Sequence, residues 1–205
     1  MNRIAIALCC LVGAVSGCTL MVPLKEPASD GAFRLSLSDR RPETDKLAET
    51  DPKRLGYYGS IVGDGQFQPD RLAVLQRILE RDAGALLRGE EVVVTELRHW
   101  TFMRNVMNIQ VIGAGIPVPS PAQFGLPESE KALGWGICDL ELTVRGKRYA
   151  GRSVRIIDFE PLKTWAPLTF DDAIEQVVTK LHTDKSVGRD GAALQLIAEL
   201  TLFLL

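Results

Sequence analysis

Residues 136–157 read GICDLELTVRGKRYAGRSVRII, and this stretch decides the fold class. Leu140, Leu142 and Val144 alternate with Asp139, Glu141 and Thr143, the period-two pattern of a strand with one buried face. Gly146-Lys147 fits a two-residue turn with glycine in first place. The chain then returns, so the stretch predicts an antiparallel hairpin in which Glu141 faces Arg152. Past Gly151 the apolar positions move to Val154 and Ile156, which implies a bulge.

Helical patterns lie on both sides of this hairpin. Downstream, Thr169-Phe170-Asp171-Asp172 opens a helix with Thr169 as N-cap and acids in the first turn. Phe170, Ile174, Val177, Val178 and Leu181 give that helix one apolar face. Residues 191–205 are apolar nearly all round, the pattern of a buried helix, and too short to span a membrane. Upstream, the strongest helix pattern runs over 69–88. Pro69 suits a first helical turn, Leu72, Leu75, Leu79, Ala83 and Leu86 recur at helical spacing, and Gly89 suits the left-handed cap.

Strands are expected at 33–38, 56–62 and 91–97, with a turn at Gly63-Asp64-Gly65. Residues 100–134 carry a possible strand at 106–112, followed by a Gly/Pro-rich segment at 113–127. A loop of that length in a compact domain is functional or mobile. Hairpins mixed with helices indicate an α+β fold: a mixed, mainly antiparallel sheet with two to three helices packed on one face. A single domain is expected over 32–205. Residues 18–31 read as a tether, because Pro23, Pro27 and Ser29-Asp30-Gly31 argue against regular structure.

The first 17 residues read as a signal peptide. Arg3 precedes an apolar run of about a dozen residues, the length of a secretory h-region. The run ends in Val15-Ser16-Gly17-Cys18, which resembles the lipobox of bacterial lipoproteins. That resemblance implies cleavage between Gly17 and Cys18, S-diacylglycerol and N-palmitoyl groups on Cys18, and a lipid-anchored place in the cell envelope. Thr19 in place of aspartate leans toward the outer membrane, facing the periplasm. Several chains together make a stable anchor where one is marginal. The wider layout resembles that of small YajG-like envelope lipoproteins and of auxiliary lipoproteins of lipid-transporting ABC systems. The matching features are the lipobox, Asp39-Arg40-Arg41-Pro42 closing a first strand, the helix ending at Gly89, and the hairpin before the helix at Phe170. That family supplies no catalytic residues.

The chain has 24 Lys and Arg against 26 Asp and Glu, and 46% hydrophobic residues. No basic stripe points to nucleic acid. Beyond Cys18 the only cysteine of the mature chain is Cys138, so no internal disulfide is expected. Cys138 reads as a small buried hydrophobe in a strand. His99 and His182 lie in different elements without the i, i+4 partner of a metal helix, and His99 reads as a packed residue. Asp64 reads as a turn residue, and Asp171-Asp172 as a helix start. Gly113-Ala114-Gly115 runs into Pro117 where a dinucleotide fingerprint needs a helix, and Ser60 lacks the glycine spacing of a nucleophile elbow. No catalytic residue, metal or cofactor is therefore expected.

A binding surface has more support. Tyr57-Tyr58 and His99-Trp100-Thr101-Phe102 place aromatics at strand ends, and Ile116, Val118, Phe124 and Leu126 make the 113–127 segment apolar enough for partner contact. Core packing explains each of these equally well. The expected function is a non-enzymatic envelope lipoprotein that binds a protein or lipid-transport partner. The alternatives are a structural or assembly accessory without a ligand, and a periplasmic hydrolase.

Overall fold

The computed structural model describes residues 21–28, 33–51, 57–104, 122, 125–127, 132–158 and 160–184. They form strands β1 (Val22–Pro23), β2 (Ser36–Asp39), β3 (Glu49–Asp51), β4 (Tyr57–Val62), β5 (Phe67–Gln68), β6 (Glu91–Arg104), β7 (Gly134–Val144) and β8 (Lys147–Ile156). Two α-helices join them, α1 (Arg71–Leu87) and α2 (Leu162–Thr183). The main sheet runs β3-β4-β6-β7-β8, with β2 also paired to β6. Every pair in it is antiparallel except β2–β6. Both helices share one core with the sheet, through Leu75, Leu79 and Leu87 of α1 and Phe170, Ala173 and Val177 of α2. The fold is therefore α+β, as the hairpin and helix patterns predict. The expected signal segment at 1–17, the expected strand at 106–112 and the expected helix at 191–205 lie outside the described residues.

The hairpin forms, but its turn is Arg145-Gly146, one residue earlier than expected. Val144 pairs with Lys147, and both turn residues have positive φ, +51° and +76°. That is a type I′ turn, whose twist matches the flanking strands and whose second position suits glycine. Moving a two-residue turn by one position shifts every cross-strand partner by two. Glu141 thus faces Ala150, and Arg152 faces Asp139. A shift of two preserves which face each side chain occupies, so Leu140, Leu142 and Val144 still enter the core. The expected bulge past Gly151 does not form, since pairing continues unbroken to Trp135↔Ile156. Val154 instead turns to the far face, where it packs on a second small core of Phe102, Leu126, Ala132, Trp135 and Ile137.

The bulge of this sheet is in β6, between Val94 and Glu96. One extra residue there reverses the alternation. Val92 and Val94 are buried on the helix side before it, and Leu97 and His99 after it. The same point divides β6 between two partners. β2 runs parallel to it as far as Val94, and β4 runs antiparallel to it from His99 onward. The aromatic run at 99–102 thus lies inside a 14-residue strand, not at a strand end.

Both helices begin elsewhere than the patterns suggest. Pro69 precedes α1, and Asp70 is its N-cap, accepting hydrogen bonds from the backbone N–H groups of Leu72 and Ala73 at 2.9 and 3.0 Å. Gly89 has φ +79°, as its cap position requires. Helix α2 starts at Leu162, so Thr169 is an interior residue and its hydroxyl donates to Ala166 O at 3.0 Å. Asp171 and Asp172 sit well inside it, not at its start. The helix runs through Pro167. It lies so close to the sheet that a Cβ on Gly151 would be 2.1 Å from Ala173 O.

The tether reading is also corrected. β1 pairs parallel with β5, Val22 facing Phe67, and the Leu24 N–H donates to Gln68 O at 2.9 Å. Val22 and Leu24 are 0% and 7% exposed. Pro23 is accommodated because an edge strand leaves one side of its backbone unpaired. The domain therefore begins by residue 22, ten positions before the expected boundary.

Candidate functional site

Two polar assemblies stand out, one inside the molecule and one on the far face of the sheet. The inner one is built on Asp64, in the turn after β4. Its carboxylate accepts from Arg41 Nη2 at 2.9 Å and from Arg71 Nε at 2.8 Å. Arg41, just past β2, also binds Asp39 at 2.9 Å and Leu97 O at 3.3 Å. Arg71, in the first turn of α1, reaches His99 Nδ1 at 2.9 Å and Asp45 O at 3.3 Å. His99 Nε2 then meets Ala166 O in α2 at 3.2 Å. Arg71 and His99 are fully buried and Arg41 nearly so. Phe67 covers the assembly, with its ring centroid 4.6 Å from the Arg71 guanidinium and 4.9 Å from His99.

The electrostatics follow from burial and pairing. Burial pushes the Asp64 carboxyl up, but the hydrogen bonds and positive charges of Arg41 and Arg71 outweigh it and hold it below the ordinary carboxylate value. Burial depresses Arg71, against the pull of Asp64. Burial, reinforced by the charge of Arg71, holds His99 well below its ordinary value. A guanidinium can only donate, so Nδ1 of His99 accepts and Nε2–H donates to Ala166 O. Both ring nitrogens of this fully buried neutral imidazole are bonded to protein atoms, so the ring ties Arg71 to α2. The assembly fastens β2, the β4 turn, α1, β6 and α2 together, and its chemistry is structural.

The outer assembly centres on Trp100, half-buried on the sheet face away from the helices. Its indole N–H donates to Asp139 Oδ2 at 2.7 Å. The guanidiniums of Arg98 and Arg152 stand 5.6 and 5.9 Å from its ring centroid. The same carboxylate lies 3.5 Å from Arg98 and 3.4 Å from Arg152, and Glu96 lies 3.2 Å from Arg98. Burial and the neighbouring Asp139 charge push the Glu96 carboxyl up. A Trp fixed by a hydrogen bond and flanked by two arginines offers rigid apolar area together with charge. Trp and Arg are among the residue types that dominate binding energy at protein interfaces.

The expected contact residues fare unevenly. Leu126 is 4% exposed and packs in the second core with Trp135 and Ile137, so its apolar side chain serves the fold and not an exposed surface. Its neighbour Gly125 borders the outer assembly, where a Cβ would lie 3.7 Å from Arg152. Ile116, Val118 and Phe124 lie outside the described residues, as do Gly17 and Cys18. Trp100 was legible as an aromatic near its place of use. Arg98, Arg152 and Asp139 were not, because only the strand register brings them together.

Three further reactive side chains among the described residues are buried or bonded. Cys138 is fully buried, and burial pushes its thiol far up. His182 Nε2 meets Asp82 O at 2.8 Å, linking α2 to α1. Ser153 donates to Asp172 at 3.1 Å. Among the described residues no cluster of three His, Cys, Asp or Glu is placed to hold a metal ion, and no helix is long and apolar enough to cross a membrane. Comparison with protein-family profiles, with curated proteins and with solved structures gives no match to this chain.

Proposed function

We propose that this chain is a non-enzymatic lipoprotein of the bacterial envelope. It is cleaved between Gly17 and Cys18, anchored by lipid on Cys18, and binds a protein partner through the far face of its sheet. The observation that carries the binding half is the Trp100 assembly: an indole held by Asp139 and flanked by Arg98 and Arg152. The Val15-Ser16-Gly17-Cys18 motif supports the anchor and an envelope location, with Thr19 favouring the outer membrane. Photo-crosslinking in intact cells from position 152 tests the contact. A discrete adduct that disappears with Trp100→Ala supports it, and the absence of any adduct overturns it. Cys18→Ala tests the anchor, since the variant should no longer label with fatty acid.

A further inference from the structure

Resting on the lipid-anchor reading, we propose that the domain is clamped directly onto the bilayer, with the β1–β5 edge lying at the lipid headgroups. Only Thr19, Leu20 and Met21 separate Cys18 from Val22. Four steps of extended chain span at most about 14 Å. The headgroup zone is itself roughly 5–8 Å deep on each side of the bilayer, and the modified cysteine sits within it. A free tether over 18–31 would instead reach several times farther.

The short reach matters because its far end is fixed. Val22 is sealed against Phe67, Leu24 is bonded to Gln68, and Glu26 pairs with Arg77 of α1. Lengthening the leash would require stripping two core side chains out of the domain. The edge presented to lipid carries Met21, 41% exposed, beside the exposed Pro23 and Gln68. An apolar, flexible side chain at that place suits the boundary between headgroups and acyl chains. Clamping also fixes the orientation of the Trp100 face relative to the bilayer.

The test uses the full-length protein with Cys138→Ala and a nitroxide on Met21→Cys or Gln68→Cys. It is reconstituted in vesicles of phosphatidylethanolamine and phosphatidylglycerol. Collision with a water-soluble nickel chelate should fall several-fold at both positions relative to the same protein carrying Cys18→Ala and made without residues 1–17, which hold Cys9 and Cys10. Inserting about 20 Gly/Ser residues between Leu20 and Met21, roughly 25 Å of flexible chain, should restore the water-exposed value. Equal accessibility with and without the insert overturns the clamp. Intact mass on the same samples separates the two ideas. A lipidated protein with water-exposed labels sinks the clamp alone, whereas a protein without lipid sinks the anchor and the clamp with it.

Discussion

Replacing Asp64 with asparagine should cost this fold more than any other single polar change we describe. Among the described residues Asp64 is the carboxylate that pairs with Arg71, whose side chain is 0% exposed, and it shares Arg41 with Asp39. The substituted amide would keep one accepting oxygen, but its NH2 group would face the donors of the other guanidinium. Removing one partner of a buried ion pair costs about 3–5 kcal/mol because the surviving charge is stranded. The Asp64 side chain is 24% exposed, so water relieves part of this and about 3 kcal/mol is expected. With a urea m-value near 2 kcal/mol/M the midpoint should fall by about 1.5 M at unchanged m. The double variant Asp64→Asn/Arg71→Met should recover more than half of the loss, since the stranded charge is gone. A midpoint shift below about 0.3 M at that m-value, or a double variant no better than the single one, would refute the reasoning. The pH dependence carries the same sign. The folded Asp64 value is depressed, so its contribution is complete above the unfolded value near about 3.9 and is lost as pH falls through the folded value.

Three further outcomes are expected. His99 is held neutral in the fold, whereas unfolded histidine binds a proton below about pH 6.5; stability should therefore decline as pH drops from there, by up to about 1.4 kcal/mol per unit. Urea titrations of His99→Gln at pH 7 and 5 should show that increment removed, and an unchanged slope would contradict the neutral assignment. Gly151→Ala should destabilise by about 1–3 kcal/mol, because the new methyl meets the backbone oxygen of Ala173. Gly65→Ala, with open space around it, should be close to neutral in the same urea titrations. Leu126→Ala should lower stability by about 2–5 kcal/mol as a core truncation. An effect on partner crosslinking at full stability would instead return Leu126 to the surface.

Patterns confined to one strand or one helix face were readable in advance, and features that depend on distant partners were not. The hairpin survived a misplaced turn because a two-position slip preserves faces. The bulge at Thr95 reverses the faces of β6, so alternation stops being visible and 99–102 looks like a new segment. Pro167 hides the first turns of α2, since an interior proline costs about 3 kcal/mol. Burial of Trp165 and Ala166 and the bond from His99 to Ala166 O offset that cost. The prolines at 23 and 27 likewise concealed the alternation of Met21, Val22, Pro23 and Leu24. In the polar core, Asp64 looked like a turn residue because Arg41 lies 23 positions before it and Arg71 seven after. One signal was available: Arg71 places a positive charge in the first turn of a helix, where the macrodipole disfavours it, so a strong partner had to exist. The outer assembly needed the β6–β7–β8 register before Arg98, Trp100, Asp139 and Arg152 could be placed side by side.

The division of β6 between two partners also governs the order in which the chain can assemble. The β7–β8 hairpin closes across a two-residue turn, a microsecond event. Ser36 must find Glu91, 55 positions away, before β2 can pair, and Val22 must find Phe67 across 45. Contacts of such separation slow a domain toward the millisecond-to-second range. The N-terminal strand is made first, yet it has nothing to pair with until β5 has been made, and β6 stays open along its other edge until β7 follows. A nascent chain therefore carries an unpaired leading strand until β5, a third of the way along the 205 residues, has emerged, and that interval is when unwanted strand pairing threatens it most.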